Sequence, residues 1–160
     1  MRAIASDAGV DSALVHHYFG TKQNLFLAAN AMPQDLGAPL REALAAPSPG
    51  EGLVLAFLGA WDGPAAASPL AGLIRTAASD AAAQSRLADL IATTVVTPAA
   101  AAIGRKTAMP KLRAALVAAQ LTGLAWMRYV LRSEPLASAS PSMIAKTFGR
   151  SIDATMGAEG

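Results

Sequence analysis

The sequence contains no cysteine, which excludes disulfide bridges, thiolate zinc sites and cysteine nucleophiles. Histidine occurs only as the adjacent pair His16 and His17, without acidic residues at a metal-ligand spacing. We therefore expect no metal site and no cofactor. Because no nucleophile, base and orienting group can be combined from the remaining residues, an enzyme is the least favoured class of protein.

Aromatic residues are also scarce, at 5% of the 160 residues, whereas 53% of the chain is hydrophobic. Alanine, leucine, valine and isoleucine carry this content, and that mixture favours helices packed closely on one another. The length allows one compact body with a small appendage. The formal net charge of +2 is too small to indicate nucleic-acid binding by composition alone, so that function needs local motifs.

Long apolar runs are missing as well, although the mean hydropathy is +0.37. The most apolar segment, residues 114–127, is shorter than the roughly 20 residues needed to cross a bilayer, so we expect a buried core helix. The residues after Arg2 do not resemble a signal peptide. The expected environment is therefore the cytoplasm, without a membrane partner.

Apolar residues recur at helical spacing between the prolines and glycines, and no segment alternates as a strand would. This pattern predicts an all-α fold, and Pro98 predicts a kink or break in the helix that contains it. We expect a helix-turn-helix domain at 1–30 and a helical ligand-binding and dimerisation domain at 31–160. The predicted helices span residues 2–8, 12–18, 22–31, 34–45, 50–61, 68–82, 83–104, 110–132 and 141–156.

The first 25 residues predict two short helices that meet at a sharp turn. Gly9 permits a positive φ at the turn, and Asp11 is placed to cap the second helix. Val15 and Phe19 lie four residues apart on one face of that helix, which leaves an outward side of small and hydrogen-bonding groups. Such a helix suits the DNA major groove, which is roughly 12 Å wide.

These residues resemble the helix-turn-helix signature of the tetracycline-repressor family. The resemblance covers about 25 residues and departs from the family pattern at His16, where an aromatic residue is usual. Family members carry a further helix before the one that starts at Arg2, so we expect an incomplete three-helix head and weak or no DNA binding by the chain as given. The matching positions are Ile4, Ala5, Ala8, Gly9, Val10, Val15, Tyr18, Phe19, Lys22 and Leu25.

The resemblance and the helix pattern assign one set of residues to DNA. Thr21 is predicted to cap the next helix, and Lys22 in its first turn would meet a phosphate. A solvated surface remains the alternative for His16 and His17, and metal binding or catalysis is less favoured. The bases would be read by Ser12, Ala13, Leu14, His16 and His17; Tyr18, Thr21 and Lys22 would hold phosphates, and Arg2 belongs to the same set.

Two further sets are predicted in the helical body, with core packing inside one chain as the alternative for both. Aromatic and methionine side chains are candidates for an apolar effector pocket. Gly123 and its small neighbours, together with a stripe on the last helix, are candidates for a two-fold interface of four helices. The pocket set is Phe57, Trp61, Leu73, Ile74, Trp126, Met127 and Tyr129; the interface set is Leu116, Ala119, Gly123, Val130, Ile144, Phe148 and Ile152.

The resemblance implies a transcriptional regulator, by expectation a repressor, that binds a palindromic operator as a homodimer. A small apolar effector would change the spacing of the two DNA-binding heads and release the DNA. The alternative is a helical module that binds small molecules or dimerises without binding DNA in this form.

Overall fold

The structure is a computed structural model that describes residues 1–22, 25, 37–62, 67–104 and 107–157, with residues 67–69 described by their backbone only. The chain divides into two compact units, Met1–Met32 and Pro33–Gly160. Within the described residues the regular structure is helical and contains no strand, which confirms the predicted all-α fold. The helix predicted at 22–31 lies outside the described residues except for Lys22 and Leu25.

The first unit contains helices α1 (Arg2–Asp7) and α2 (Ser12–Phe19), close to the predicted bounds. The two helices pack through the buried side chains of Ala5 and Val15. Both helices are too short to be stable alone, so this contact between their apolar faces holds them together.

The second unit is a body of helices. In two places the α-helical hydrogen bonding gives way to a π-helical segment, Ala92–Val96 after α6 and Trp126–Val130 after α8. The α-helices are α3 (Ala38–Ala43), α4 (Gly50–Asp62), α5 (Ala67–Ala77), α6 (Ala81–Ile91), α7 (Thr97–Ile103), α8 (Pro110–Ala125) and α9 (Pro141–Met156).

The most extensive helix pair in the body is α4 with α9. Two glycines allow it: a β-carbon on Gly50 would clash with the carbonyl of Gly149, and one on Gly149 would stand 2.6 Å from the amide nitrogen of Glu51. The Asp153 carboxylate accepts a 2.7 Å hydrogen bond from the amide of Gly50 at the start of α4. A helix leaves its first four amides without partners inside the helix, and α9 thus supplies a partner to one of them in α4.

The buried face of α8 is not the side that carries Leu112 and Leu116, which are about half exposed, at 50% and 49%. The core instead takes the opposite side of the helix, where alanines let neighbouring helices approach closely. The buried residues of α8 are Ala114, Val117, Ala118, Leu121, Leu124 and Ala125.

Two predicted boundaries are wrong. The helices predicted at 68–82 and 83–104 are divided earlier in the chain, since Asp80 caps α6 by accepting a 2.7 Å hydrogen bond from the amide of Ala83.

The kink or break expected at Pro98 takes the form of a π-helical segment just before the proline, after which α7 continues. A π-helical turn shifts the hydrogen-bond register, which accommodates a proline that cannot donate.

Among the described residues, the run Ala81–Ile103 is long and apolar enough to cross a membrane by length and composition. Its solvent side carries Gln84, Asp89 and Thr93, whereas its large side chains face the interior of the body. A lipid-facing helix needs an apolar exterior, and this run has a polar one. We interpret it as an amphipathic helix of the body.

Candidate DNA-binding helix and effector cavity

The path of the chain between α1 and α2 depends on two residues that the sequence analysis singled out. Gly9 has a φ of +66°, a conformation that favours glycine, and it reverses the chain direction after α1. The Asp11 carboxylate accepts a 2.8 Å hydrogen bond from the amide of Ala13 and caps α2 as predicted. Gly20, with a φ of +67°, ends the helix.

Helix α2 has one face packed on α1 and one face open. Val15 is buried, and Ser12 and Phe19, which share its side of the helix, are half-buried. At about 100° per residue the opposite side carries Ala13, Leu14, His17 and Tyr18; all four are exposed. We name these four residues the outward face of α2.

The outward face is rich in hydrogen-bonding rings. Tyr18 is 73% exposed, and its ring meets that of His17 edge to face, with 5.4 Å between the centroids. His16 is exposed on the flank between the two faces. Residues 12–19 of α2 include no acidic residue, and the nearest carboxylate in the sequence is that of Asp11, which caps the helix.

The other residues assigned to DNA are Arg2, Thr21 and Lys22, and all three side chains are exposed. The structure therefore makes every residue of the predicted DNA-binding set accessible, with Ser12 the least so. The charges of Arg2 and Lys22 are offset in the same unit by Asp7 and Asp11, and both carboxylates are exposed. Affinity for the DNA backbone in the described part of this unit thus depends on the position of these charges rather than on their sum.

The body contains an apolar cavity of about 60 Å³ between α4, α5, α6 and α8. Its polar groups are two threonines. The Thr94 hydroxyl donates a 2.6 Å hydrogen bond to the carbonyl of Leu90, while that of Thr122 has no partner among the described residues. The cavity is lined by Leu40, Phe57, Ala60, Trp61, Leu70, Ile74, Leu87, Leu90, Ile91, Thr94, Val95, Ala118, Leu121, Thr122 and Ala125.

Three of the residues predicted for an effector pocket line this cavity: Phe57, Trp61 and Ile74. Leu73 is fully buried but points elsewhere, because neighbouring residues on a helix face different directions. Trp126 is half-buried and lines none of the described cavities. Met127 and Tyr129 line two separate surface depressions instead.

Sequence reasoning missed the contribution of α6 and the π-helical segment after it. Leu87, Leu90, Ile91 and Thr94 recur at intervals of three and four residues, which was the available signal. The aromatic residues instead favoured α4 and the π-helical segment after α8. A cavity wall made of leucine and isoleucine cannot be distinguished from ordinary core in a sequence.

Three aromatic rings form a row at the edge of the cavity. Phe57 and Trp61 lie 6.0 Å apart by ring centroid, and Trp61 stacks on Tyr129 at 4.9 Å with an interplanar angle of 11°. The Tyr129 hydroxyl donates a 2.8 Å hydrogen bond to Asp62. Burial, reinforced by this bond to a carboxylate, raises the pKa of the Tyr129 phenol well above its ordinary value near 10.

A second apolar surface lies between α8 and α9. It is a groove of about 530 Å³ that includes Gly123, Met127, Met143 and Phe148. We name it the α8–α9 groove. The remaining lining residues are Ala119, Gln120, Leu124, Leu136, Ile144 and Thr147.

The predicted interface set divides between the groove, the rest of the surface and the core. Ala119, Gly123, Ile144 and Phe148 line the groove, Leu116 is exposed on α8, and Val130 is half-buried. Ile152 is fully buried inside its own chain, so it cannot contact a partner. Ile152 lies on the same side of α9 as Ile144 and Phe148, as the predicted stripe requires, but at Ile152 this side packs on the core.

Comparison with known proteins connects both units to one family. The model for bacterial regulatory proteins of the tetR family matches residues 1–29. The model described as tetracyclin repressor-like, C-terminal domain, matches residues 47–156, which is more than half of the chain. The chain belongs to the tetracycline-repressor family.

A solved structure supports this assignment. A TetR-family regulator from Streptomyces coelicolor A3 is 35% identical to the chain, with a TM-score of 0.51. The alignment covers 96% of this chain and 81% of the other. No curated protein matches the chain.

Family membership settles the general function. Tetracycline-repressor family proteins are DNA-binding transcriptional regulators and not enzymes, and this chain is one of them. Residues 12–19, which form α2, lie in the segment matched by the DNA-binding family model.

Proposed function

We propose that this family member is a ligand-responsive repressor, active as a homodimer in the cytoplasm, that releases a palindromic operator when a small apolar effector enters the body. The observation that carries the proposal is the apolar cavity between α4, α5, α6 and α8. An interior lined almost entirely by apolar side chains, with two threonine hydroxyls, has the chemistry of a site for an apolar ligand.

The DNA contact is proposed for the outward face of α2. His17 can donate to or accept from a base edge, and the methyl group of Ala13 is small enough to let the helix approach. Tyr18, Thr21 and Lys22 would hold the phosphates on either side. In a two-fold dimer the second copy of α2 would reach the next half-site, about 34–36 Å along the duplex.

The dimer contact is proposed for the α8–α9 groove and the exposed stripe of α8 beside it. Leu112, Leu116, Met127 and Met143 are between 40% and 63% exposed on this side of the body. A contiguous apolar surface of this kind indicates a protein interface. The partner is a second copy of this chain, because family members act as dimers and a two-fold axis would place α8 and α9 of one copy against those of the other.

The switch follows from the size of the cavity. Ligand sites for small molecules usually measure about 300–1,000 Å³, whereas this cavity has about 60 Å³. An effector would therefore bind a more open arrangement of the body helices than the one described here. Because a ligand favours the conformation that it binds more tightly, it would shift the dimer toward that open form and change the spacing of the two heads.

The proposal is tested by fluorescence anisotropy with labelled DNA from the region upstream of the protein's own gene. The chain is measured as given and with any in-frame codons immediately upstream of Met1 restored. We expect at least one of the two forms to bind a palindromic segment preferentially, with an affinity that falls as the salt concentration rises. Equal affinity of both forms for that segment and for scrambled DNA would leave a helical module without DNA function, contrary to the proposal.

A further inference from the structure

A surface depression lined by charged side chains lies next to the apolar cavity, and the stacked rings of Trp61 and Tyr129 stand between the two. Trp61 lines the cavity, and Tyr129 lines an open surface depression of about 590 Å³. On α5 the two sites alternate: Ile74 faces the cavity, and the adjacent Arg75 faces the depression. The two sites are thus separated by little more than one pair of stacked rings.

The depression, which we name the arginine depression, collects cationic groups. Among the described residues, Arg75, Arg128 and Arg132 line it against a single acidic residue, Glu134. One carboxylate oxygen of Glu134 already accepts a 2.6 Å hydrogen bond from the hydroxyl of Ser138. The lining is therefore net positive, and its remaining residues are Ala71, Tyr129, Ala137 and Ser138.

Arg128 has hydrogen-bonding capacity that the chain does not use. Its Nη1 donates to the carbonyls of Leu136 and Ala139, at 2.6 and 2.9 Å. Its Nε is buried and has no acceptor in the part of the chain that the structure describes. A buried donor without an acceptor is costly, and Nε with Nη2 forms the edge on which arginine binds a carboxylate with two parallel hydrogen bonds.

We propose that the effector is an amphipathic anion whose apolar body occupies the cavity while its carboxylate lies in the arginine depression. This inference rests on the effector cavity of the proposed function and names the chemical class of the ligand. The Trp61–Tyr129 stack forms the boundary that such a molecule must displace to reach both sites.

The physical reasons are complementary. None of the described residues that line the cavity is charged, so burying a charged group there would be costly. The arginine depression supplies planar guanidinium groups, which match the geometry of a carboxylate. A molecule with an apolar tail and an anionic end therefore satisfies both sites at once, whereas a neutral apolar molecule satisfies only the cavity.

The experiment uses the full chain with Trp126→Phe, which leaves Trp61 as the only tryptophan. Straight-chain carboxylates and alcohols of six to ten carbons are titrated below their micelle concentrations, and Trp61 emission is recorded. We expect the carboxylates to bind at least tenfold more tightly than alcohols of equal length. Each added methylene should improve affinity about fourfold, as burial of apolar area predicts.

Arginine variants then locate the charged end. Arg75→Gln and Arg132→Gln together should lower carboxylate affinity about tenfold or more, and alcohol affinity should not change. Arg150→Gln is the matched control, because Arg150 is exposed on α9 and does not line the depression. Carboxylate and alcohol series that bind alike, or variants without effect, would overturn the inference and leave the apolar cavity standing.

A third result separates the inference from the proposed function. If neither series changes Trp61 emission, the inference and the effector part of the proposed function both fail. Operator binding, measured on the same samples by anisotropy, reports independently whether the DNA-binding part holds.

Discussion

The hydroxyl of Tyr129 donates a 2.8 Å hydrogen bond to the carboxylate of Asp62. This bond joins the last residue of α4 to the π-helical segment after α8, and it holds the Tyr129 ring in its stack with Trp61. A π-helical segment widens a helix locally and often occurs at functional sites. Tyr129, which lies between the apolar cavity and the arginine depression, is thus held in two ways: its ring stacks on Trp61, and its hydroxyl is bonded to Asp62.

Tyr129→Phe should lower the free energy of unfolding near neutral pH. It should also make that free energy fall less as the pH rises above about 10. Loss of the hydrogen bond should lower the free energy of unfolding by about 0.5–1.5 kcal/mol at pH 7. The raised pKa of Tyr129 means that the unfolded phenol ionises first as pH rises above about 10, so the folded state binds more protons there and its stability falls with pH.

Urea unfolding at pH 7 and at pH 11 measures both effects. The difference between native protein and the variant should be smaller at pH 11 than at pH 7. A difference that stays constant or grows with pH would show that the hydroxyl is not held protonated by its surroundings.

Gly149→Ala should destabilise the body by about 1–3 kcal/mol, the usual cost of overpacking. The added β-carbon would stand 2.6 Å from the amide nitrogen of Glu51, and that contact is with backbone, which cannot easily move. Gly59→Ala on α4 is the control, because nothing lies within 4 Å of its β-carbon.

In a helix interior this control change should stabilise the protein by about 0.5–1 kcal/mol. Thermal unfolding of the two variants should therefore move in opposite directions from the native protein. Equal destabilisation by both would contradict the close approach of α4 and α9.

Leu116→Glu should weaken self-association without unfolding the chain. Leu116 is 49% exposed on α8, so a carboxylate there is solvated in the monomer but would be buried in a dimer formed through α8 and α9. Ala88→Glu, at an exposed position on α6, is the matched control.

Sedimentation velocity over a range of concentrations measures the outcome. The native protein and the control should sediment as dimers at concentrations where Leu116→Glu is monomeric. If Leu116→Glu remains dimeric with unchanged affinity, the interface lies elsewhere on the chain.

The local features of the fold could be predicted because single residues specify them. Gly9 marks the turn after α1 and Asp11 the start of α2, and both act through their own backbone or the next few residues. The last helix begins at Pro141 and ends at Met156 as predicted, with Gly157 taking the left-handed conformation that terminates it.

Features that depend on packing between distant segments could not be predicted. Asp80 was not recognised as a cap, since the alanines after it carry no boundary signal. The side of α8 that carries Leu112 and Leu116 is exposed. The side with three buried alanines packs in the core instead, because small side chains let α8 approach its neighbours closely. Ile152 and Phe148 occupy neighbouring turns of α9, and only the three-dimensional arrangement buries the first and leaves the second in a groove.

The candidate sites also differ in whether they depend on local sequence or on packing between distant segments. The outward face of α2 followed from the positions of Val15 and Phe19 on a single short helix. The apolar cavity combines residues that are distant in sequence, such as Phe57 and Leu121. The predicted pocket residues Trp126 and Met127 do not line it, because aromatic and methionine content does not show where a side chain lies in the fold.

The central claim is that the outward face of α2 reads DNA sequence, and His17→Ala tests it most directly. Operator and scrambled duplexes are titrated by fluorescence anisotropy at several salt concentrations, with the native protein and the variant carrying identical N-terminal sequence. Loss of a base contact should weaken operator binding by about 1–3 kcal/mol, with the salt dependence and the affinity for scrambled DNA unchanged. If the variant retains the full preference for the operator, or the native protein has none, α2 is not the element that reads the sequence.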